Sequence, residues 1–324
     1  MKGVFIVSLD FELLWGVEDL DICETYKKNV IGGRNAIPKI LEKFKEYGIH
    51  ATWATVGIML NESKEQIIEN IPQKTPCYVN DKSSAYNHLK EVGDNEGTDK
   101  LHYGGSLLQL IKEYENQEIA THTYSHYYCW EEGADIDSFM EDIDLAISIM
   151  YKKYGIRPRS IVFPRNQYGE NELLYLKENG FICYRGNPKR GYNEYSGLLE
   201  LIQKVFRTVD SVVPLLGNIT YKHKYKDSLI NVQASRFFRP CSKWKVIEKL
   251  KLERIKGQMK FAAKHNRMFH LWWHPHNFGS NTQQMLLELD EILKYFTLLK
   301  SKYDFESMTM GEYAEKVACK KYVV

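Results

Sequence analysis

The chain has 324 residues, of which 44% are hydrophobic and 27% charged, close to the average for a soluble globular protein. Its 44 basic and 42 acidic side chains give a formal net charge of +2, which offers no support for nucleic-acid binding. Its apolar runs are all shorter than the roughly 18 residues that a membrane span needs.

The cysteines and the N-terminus indicate where the protein resides. Six widely separated cysteines without a C-x-x-C pair argue against a disulfide framework or a cysteine zinc site. The first residues reach Asp10 too early for a signal-peptide core of about 7–15 apolar residues. We therefore expect a cytoplasmic protein with free thiols.

Apolar patterns predict alternating strands and helices along the chain. The predicted strands cover residues 3–9, 51–56, 118–120, 160–163 and 267–273. The predicted helices cover residues 36–47, 107–114, 136–154, 171–179 and 283–299. Such alternation is typical of a parallel sheet with outer helices, as a barrel or a doubly wound fold. We predict one domain over 1–324, with insertions near 61–103 and 187–257.

Two carboxylates stand where the first predicted strand ends. Asp10 and Glu12 are separated by one residue, so in extended chain their side chains point to the same side. Two like charges on one side are unfavourable unless a cation or an arginine lies beside them. The pair therefore indicates either a metal site or an ordinary solvated strand end.

Two histidines follow the third predicted strand. His122 and His126 are four residues apart and would converge on one metal if the chain turned into a helix there. Imidazole suits Zn²⁺, and two histidines with one carboxylate leave a position open for water and substrate. The alternative is a pair of surface histidines.

Two further strand ends carry polar clusters. Pro164-Arg165-Asn166 follows one strand, and Arg165 could orient a neighbouring carboxylate, although a polar turn explains the segment equally well. His274 and His276 follow the last predicted strand, where a histidine could donate protons near neutral pH or lie hydrogen-bonded in the core. In a (β/α) barrel all these strand ends would meet on one face.

The ordered set of motifs resembles the polysaccharide deacetylase family, the NodB-homology group of carbohydrate esterase family 4. The segment 122–126 fits its H-[ST]-x-x-H motif, and 8–12 resembles its acidic strand end. Segments 163–169 and 271–274 resemble two later motifs. The first motif departs from the usual adjacent aspartates, and Pro164-Arg165 reverses the usual Arg-Pro order. Asp210-Ser211 is a weak candidate for the family's fourth motif.

This resemblance implies a fold and a set of residue roles. The fold would be an irregular (β/α)7-type barrel of the NodB kind with long inserted loops. Zinc or a similar divalent metal would be held by Glu12, His122 and His126. Asp10 would be the catalytic base, His274 the acid, and Arg165 would hold Asp10 ionised. The substrate-binding candidates are Trp15, Tyr124, Trp273 and Asn166.

The implied reaction is removal of an N-acetyl group from an amino sugar in a polysaccharide or glycoconjugate precursor. The basic groups of the second insertion would either meet a substrate phosphate or form a solvated loop; they are Arg185, Lys189, Arg190, Arg236 and Arg239. Alternatives are another amide C–N hydrolase of the same fold, a deformylase or an allantoinase-like enzyme, or a non-catalytic carbohydrate-binding barrel. The sequence leaves the oligomeric state open.

Overall fold

The computed structural model describes residues 1–20, 24–188, 210, 217–224 and 229–319. Its strands are β1 Val4–Phe11, β2 Ala51–Thr55, β3 Gln117–Thr121, β4 Ser160–Val162, β5 Cys183–Arg185, β6 Ile230–Asn231, β7 Arg236–Phe237, β8 Met268–Trp273 and β9 Glu306–Met308. Its helices are α1 Glu24–Tyr47, α2 Lys64–Glu69, α3 Gly105–Lys112, α4 Ile136–Tyr154, α5 Glu170–Glu178, α6 Lys245–Lys264, α7 Thr282–Tyr303 and α8 Met310–Cys319.

The strands form one parallel sheet in the order β6-β5-β4-β3-β2-β1-β8-β7, with β9 also paired to β1. The two outer strands, β6 and β7, belong to one continuous segment, 230–237. Val232 N donates to Tyr184 O of β5, while Ser235 N donates to His270 O of β8. Because one segment bonds to both edges, the sheet curls into a barrel, which is the first of the two predicted architectures.

The β1 strand lies at the centre of the sheet and is buried along its whole length. Its apolar, β-branched sequence suits a parallel strand that is covered on both faces. The strand runs two residues beyond the predicted end, so Asp10 belongs to it. Asp10 pairs with Ala54 and Leu9 with Trp273, so the carboxyl ends of β1, β2 and β8 are level.

Helix α1 packs against the loop that follows β8, and it is twelve residues longer at its start than predicted. A Cβ at Gly33 would lie 2.5 Å from the Cα of His276, and one at Gly32 would lie 2.7 Å from the Cα of Gly279. Both glycines weaken a helix by themselves, but only glycine permits this approach. The contact fixes residues 275–279 near the carboxyl end of β1.

The predicted insertions differ in character. Residues 61–103 form α2, short turns and loops, and Leu101 O accepts from Leu14 N in the loop after β1. The stretch 187–257 contains β6 and β7, so part of it belongs to the sheet rather than to an insertion. Lys189 and Arg190 lie outside the described residues. The described helices include none long and apolar enough to cross a membrane.

Candidate active site

Three buried side chains meet at the carboxyl ends of β1 and β3. The Nε2 atoms of His122 and His126 lie 3.4 and 3.3 Å from the same carboxylate oxygen of Glu12. All three side chains are at most 5% exposed. The three residues predicted as a metal set are therefore close enough to share one ion.

The hydrogen bonds of the Nδ1 atoms of His122 and His126 determine that the Nε2 atoms face Glu12. His122 Nδ1 donates to Val162 O at 2.7 Å, since a carbonyl only accepts. Tyr128 donates its hydroxyl hydrogen to Asp19, so it accepts from His126 Nδ1 at 3.1 Å. In the neutral rings both Nε2 atoms then present lone pairs towards a carboxylate.

Three acceptor atoms without a hydrogen between them are an arrangement that a cation stabilises. Two ligands about 2.1 Å from one tetrahedral metal lie about 3.4 Å apart, which is close to the observed separations of 3.4 and 3.3 Å. The bonded Nδ1 atoms provide the outer hydrogen bonds that orient metal-binding histidines. The residues therefore fit a zinc-type ion.

The turn between the two histidines is not the helix that the sequence spacing led us to consider. Thr123 and His126 adopt left-handed backbone angles, with φ of 64° and 58°, which cost energy for residues other than glycine. Asp142 compensates by accepting from the backbone N–H groups of Tyr124 at 2.6 Å and Ser125 at 3.0 Å. The buried Asp142 carboxylate thus shapes the turn that brings both imidazoles to Glu12.

Glu12 is held against its own loop. A Cβ at Gly16 would lie 2.0 Å from the Glu12 carboxyl carbon, so a side chain at position 16 would displace the carboxylate. Although burial opposes ionisation, the neighbouring His274 keeps the pKa of Glu12 well below its usual range. The carboxylate is therefore ionised throughout the neutral range.

Asp10 is gripped by a buried arginine from β5. Arg185 Nη1 and Nη2 donate to the two carboxylate oxygens of Asp10, both at 2.6 Å. The guanidinium is 1% exposed and lies 4.2 Å above the Trp272 ring. Burial alone would raise the pKa of Asp10, but Arg185 lowers it below its ordinary value.

His274 lies between the two carboxylates. Its Nε2 is 3.7 Å from Asp10 Oδ2 and 3.6 Å from Glu12 Oε1. The ring stacks on His276, with centroids 4.7 Å apart, and the His276 Nε2 bonds Tyr26 Oη at 3.0 Å. Because the His274 side chain is 22% exposed, it is the member of the cluster that a substrate can reach from solvent.

Comparison with known proteins places this arrangement in context. The family model of the polysaccharide deacetylases matches residues 25–183. The resemblance to the polysaccharide deacetylase family is confirmed. The matched region includes His122 and His126, whereas Asp10, Glu12 and His274 lie outside it. No curated protein sequence matches the chain.

Solved structures share the whole fold at low sequence identity. A candidate polysaccharide deacetylase from Mycobacterium smegmatis has 15% identity and a TM-score of 0.63, covering 99% of this chain and 92% of its own. A second candidate, from Pseudomonas aeruginosa PAO1, has 11% identity and a TM-score of 0.56, covering 96% and 89%. Puue allantoinase has 12% identity and a TM-score of 0.57, covering 96% and 89%. The predicted NodB-type fold is thus confirmed.

The polysaccharide deacetylase resemblance misplaced the arginine. Arg165 is not the partner of Asp10, because it binds Asp19 and Glu131 at the rim and stacks on Tyr128. Its side chain is 38% exposed, and its left-handed backbone, with φ of 53°, directs it away from the core cluster. Arg185 occupies the role that the sequence analysis gave to Arg165.

Arg185 was missed because it had been grouped with the basic residues of an insertion. A signal was present, since it ends the apolar run 181–184 just as Asp10 ends that of β1. Arg236 is also buried, and it pairs with Asp210 at 2.7 Å. Neither buried arginine is available to a substrate phosphate.

The weak candidate for the family's fourth motif lies elsewhere. Asp210 pairs with the buried Arg236 and with Arg254, while Ser211 lies outside the described residues. His274 Nδ1 has no hydrogen-bond partner among the described residues. The His274 ring is oriented by stacking on His276 and by edge contacts with Phe237 and Trp272.

Three of the four predicted substrate contacts are core residues. The rings of Trp15, Tyr124 and Trp273 are at most 2% exposed. Trp15 donates to His102 O, and Trp273 packs on Phe44. They cannot stack on a sugar, because other side chains and backbone already cover their faces.

The fourth predicted substrate contact also has a different role. Asn166 accepts from Arg185 Nε at 3.1 Å, so it positions the arginine. Trp272 is partly exposed and lies edge-on to His274, with centroids 5.6 Å apart. Trp272 is therefore the better candidate for an aromatic contact with substrate.

Proposed function

We propose that the chain is a metal-dependent hydrolase that removes an N-acetyl group from an amino sugar in a polysaccharide or glycoconjugate precursor. The observation that carries this proposal is the pairing of an acceptor triad, formed by Glu12, His122 and His126, with a proton acceptor and a proton donor. Asp10 and His274 flank Glu12, His122 and His126 within one buried cluster. A carbohydrate-binding barrel without catalysis has no need of such a pair.

Glu12, His122 and His126 would hold the metal. Bound there, a divalent ion would polarise the acetyl carbonyl and favour ionisation of water. The protein contributes buried ligands that are already oriented, because both imidazoles are fixed through Nδ1.

Asp10 acts as the base that accepts a proton from the attacking water. Arg185 keeps its carboxylate ionised and fixes its plane through two parallel hydrogen bonds. The same contact lowers basicity, so Asp10 depends on close positioning for its efficiency.

His274 acts as the acid that protonates the departing amine. Its Nε2 lies within 3.7 Å of both carboxylates, and the side chain is 22% exposed, so this nitrogen can reach a substrate bound at the cluster. The amino sugar then leaves as the free amine and the acetyl group as acetate. Trp272 and the exposed face of His274 form the surface that meets the sugar.

We further propose a precursor as substrate, one that is nucleotide-linked or lipid-linked and handled in the cytoplasm. Free thiols at four described cysteines are consistent with a reducing compartment. The test is a metal analysis of the purified protein combined with an acetate-release screen. The panel comprises nucleotide-linked and polyprenyl-linked N-acetyl amino sugars, chitin oligomers, a formylated amino sugar and allantoin.

Asp10→Asn is the informative variant in that screen. We expect it to keep its metal and lose about 10²–10⁴-fold in turnover. Asp210→Asn is the matched control, since Asp210 is equally buried and arginine-paired but lies outside the cluster. Acetate release from chitin oligomers alone would refute the precursor assignment. Release of formate or opening of allantoin without acetate would replace deacetylation by those activities.

A further inference from the structure

A series of hydrogen bonds between buried side chains leads from His270 through Ser8 to Arg185, the partner of Asp10. Ser8 in β1 and His270 in β8 have no exposed surface. His270 Nε2 is 2.8 Å from Ser8 Oγ, and Ser8 Oγ is 3.1 Å from Arg185 Nη1. Neither residue is a member of the acceptor triad. Ser8 begins the segment 8–12 that resembles the acidic motif, whereas His270 lies outside the motif segments.

The direction of every hydrogen bond in this series is determined. His270 Nδ1 lies 3.1 Å from Val232 O, which only accepts, so Nδ1 carries the hydrogen. Burial, followed by the charge of Arg185, lowers the pKa of His270 to about 3, so the ring is neutral. Its Nε2 must then accept from the Ser8 hydroxyl.

Ser8 is consequently left with oxygen lone pairs facing the guanidinium. Arg185 Nη1 donates one hydrogen to this oxygen and another to Asp10 Oδ1. Arg185 Nε donates to Asn166, and Nη2 donates to Asp10 Oδ2. The guanidinium plane is therefore fixed on three sides, and removal of the Ser8 oxygen would leave a buried N–H without an acceptor.

We propose that Ser8 and His270 are positioning residues for the catalytic base: they hold Arg185 in the plane from which it grips Asp10. This inference rests on the proposed function. His270 acts through Ser8, and Ser8 acts through Arg185. Val232 lies in the segment 230–237 that joins the two edges of the sheet, so closure of the barrel and orientation of the base are linked.

The experiment compares Ser8→Ala with a matched control, Ser160→Ala. Ser160 is an equally buried strand serine whose hydroxyl bonds Glu118 and Cys183, away from the cluster. We expect Ser8→Ala to lower kcat roughly 10- to 100-fold, with KM and metal content unchanged. Ser160→Ala should lower thermal stability and leave kcat as in the wild type.

Two variants at position 270 separate hydrogen bonding from packing. His270→Gln retains a donor for Val232 and an acceptor for Ser8, whereas His270→Phe retains only a ring. Higher kcat in the glutamine variant supports the proposal. Equal kcat in the two variants, or a kcat of Ser8→Ala within twofold of the wild type, would overturn it.

A readout independent of activity is the ¹⁵N NMR signature of His270 in the whole protein. A neutral ring protonated on Nδ1 at pH 7 is expected. An imidazolium or an Nε2-protonated ring would break the series and contradict the proposal. If the wild type hydrolyses no amide in the panel, the proposed function fails, while the NMR result still decides the hydrogen-bond series.

Discussion

Two clusters in the described chain bring three ligand-type side chains within 4.8 Å of one another, yet they differ in what lies between them. In the first, Glu12 faces two imidazole lone pairs. In the second, formed by Cys241, Glu248 and Glu288, the ammonium group of Lys251 lies 2.5 Å from Glu248 and 2.7 Å from Glu288. The second cluster already contains its cation.

The difference teaches that proximity of ligands does not by itself make a metal site. Lys251 neutralises the carboxylates of its cluster and also donates to Arg239 O. Burial and the adjacent Glu248 raise the pKa of Glu288, so the pair can retain a proton as well. By contrast, the acceptor triad has both imidazole hydrogens committed elsewhere.

Loss of a triad histidine should have the largest effect. We expect His122→Ala and His126→Ala to lose bound metal and to lower turnover by at least about 10³-fold, since removal of the ion removes its Lewis acidity. Chelation of the wild type should do the same, with recovery on adding Zn²⁺. Cys241→Ala in the second cluster is the control and should leave metal stoichiometry and turnover unchanged. Full metal and turnover in both histidine variants would show that the site is wrong.

Removal of the Lys251 ammonium group from the second cluster should lower stability rather than activity. Lys251→Met leaves two buried carboxylates without their partner, and we expect the free energy of unfolding to fall by about 3–5 kcal/mol. Denaturant unfolding measures this change. Lys256→Met on the same helix is the control, because its partner Glu291 is half exposed and such pairs contribute about 1 kcal/mol or less. Metal bound by the wild type at Cys241, Glu248 and Glu288 would break the comparison, because Lys251 would then not take the place of the ion.

Replacement of Arg185 and replacement of Arg165 should lower kcat to different extents. Arg185→Lys loses the two parallel hydrogen bonds to Asp10, and we expect kcat to fall about 10²-fold with metal retained. Arg165→Lys should change kcat by no more than a few fold, since Arg165 pairs with Asp19 and Glu131 rather than with Asp10, and its contact with the cluster is indirect, through the Tyr128 ring. Steady-state kinetics of both variants decides the matter, and a reversal of the two effects would restore Arg165 as the partner of Asp10.

In a third cluster, formed by Glu18, Asp99 and His102, the cation is the protonated histidine. His102 bonds Asp99 at 2.6 Å and Glu18 at 2.8 Å. Although burial opposes protonation, these carboxylates raise the pKa of His102 to about 9. The stabilisation is complete below the ordinary histidine pKa of about 6.5 and is lost as pH rises through 9.

Replacement of that histidine should therefore have a smaller, pH-dependent effect. We expect His102→Gln to lower the free energy of unfolding by about 1–3 kcal/mol at pH 6, with the difference from the wild type shrinking towards pH 10. Unfolding measured between these limits tests it. His88→Gln is the control, because His88 bonds the backbone carbonyl of Lys82. A difference that grows with pH would contradict the assignment of His102 as a cation.

The sequence predicted those features of the fold that a local pattern of residues encodes. Apolar runs followed by polar residues marked the ends of β1, β3 and β8, and parallel strands place such ends on one face. In this way Glu12, His122, His126 and His274 were predicted to lie near one another, and in the structure they do. The helix over 136–154 was also predicted correctly, since its capping Asp135 and closing Gly155 are local signals.

The errors concern features that depend on distant partners. The first twelve residues of α1 contain Gly32 and Gly33, whose presence argues against a helix until the loop 275–279 packs upon them. From their positions in the sequence, Trp15 and Trp273 were predicted to stack on a sugar, but in the structure both are buried in the core. The turn after His122 is held by Asp142, which lies on α4 and carries no signature of that role.

The sequence by itself determined the parallel strand–helix fold, the resemblance to the polysaccharide deacetylases, and the acid and histidines that lie at the carboxyl ends of the strands, because periodicity and motif spacing are local properties. Only the tertiary structure decided which arginine serves Asp10, how His126 turns back to Glu12, and that the second acidic cluster is closed by Lys251. The physical reason is that charge pairing and burial depend on which side chains meet across the sheet, and chain position does not specify this.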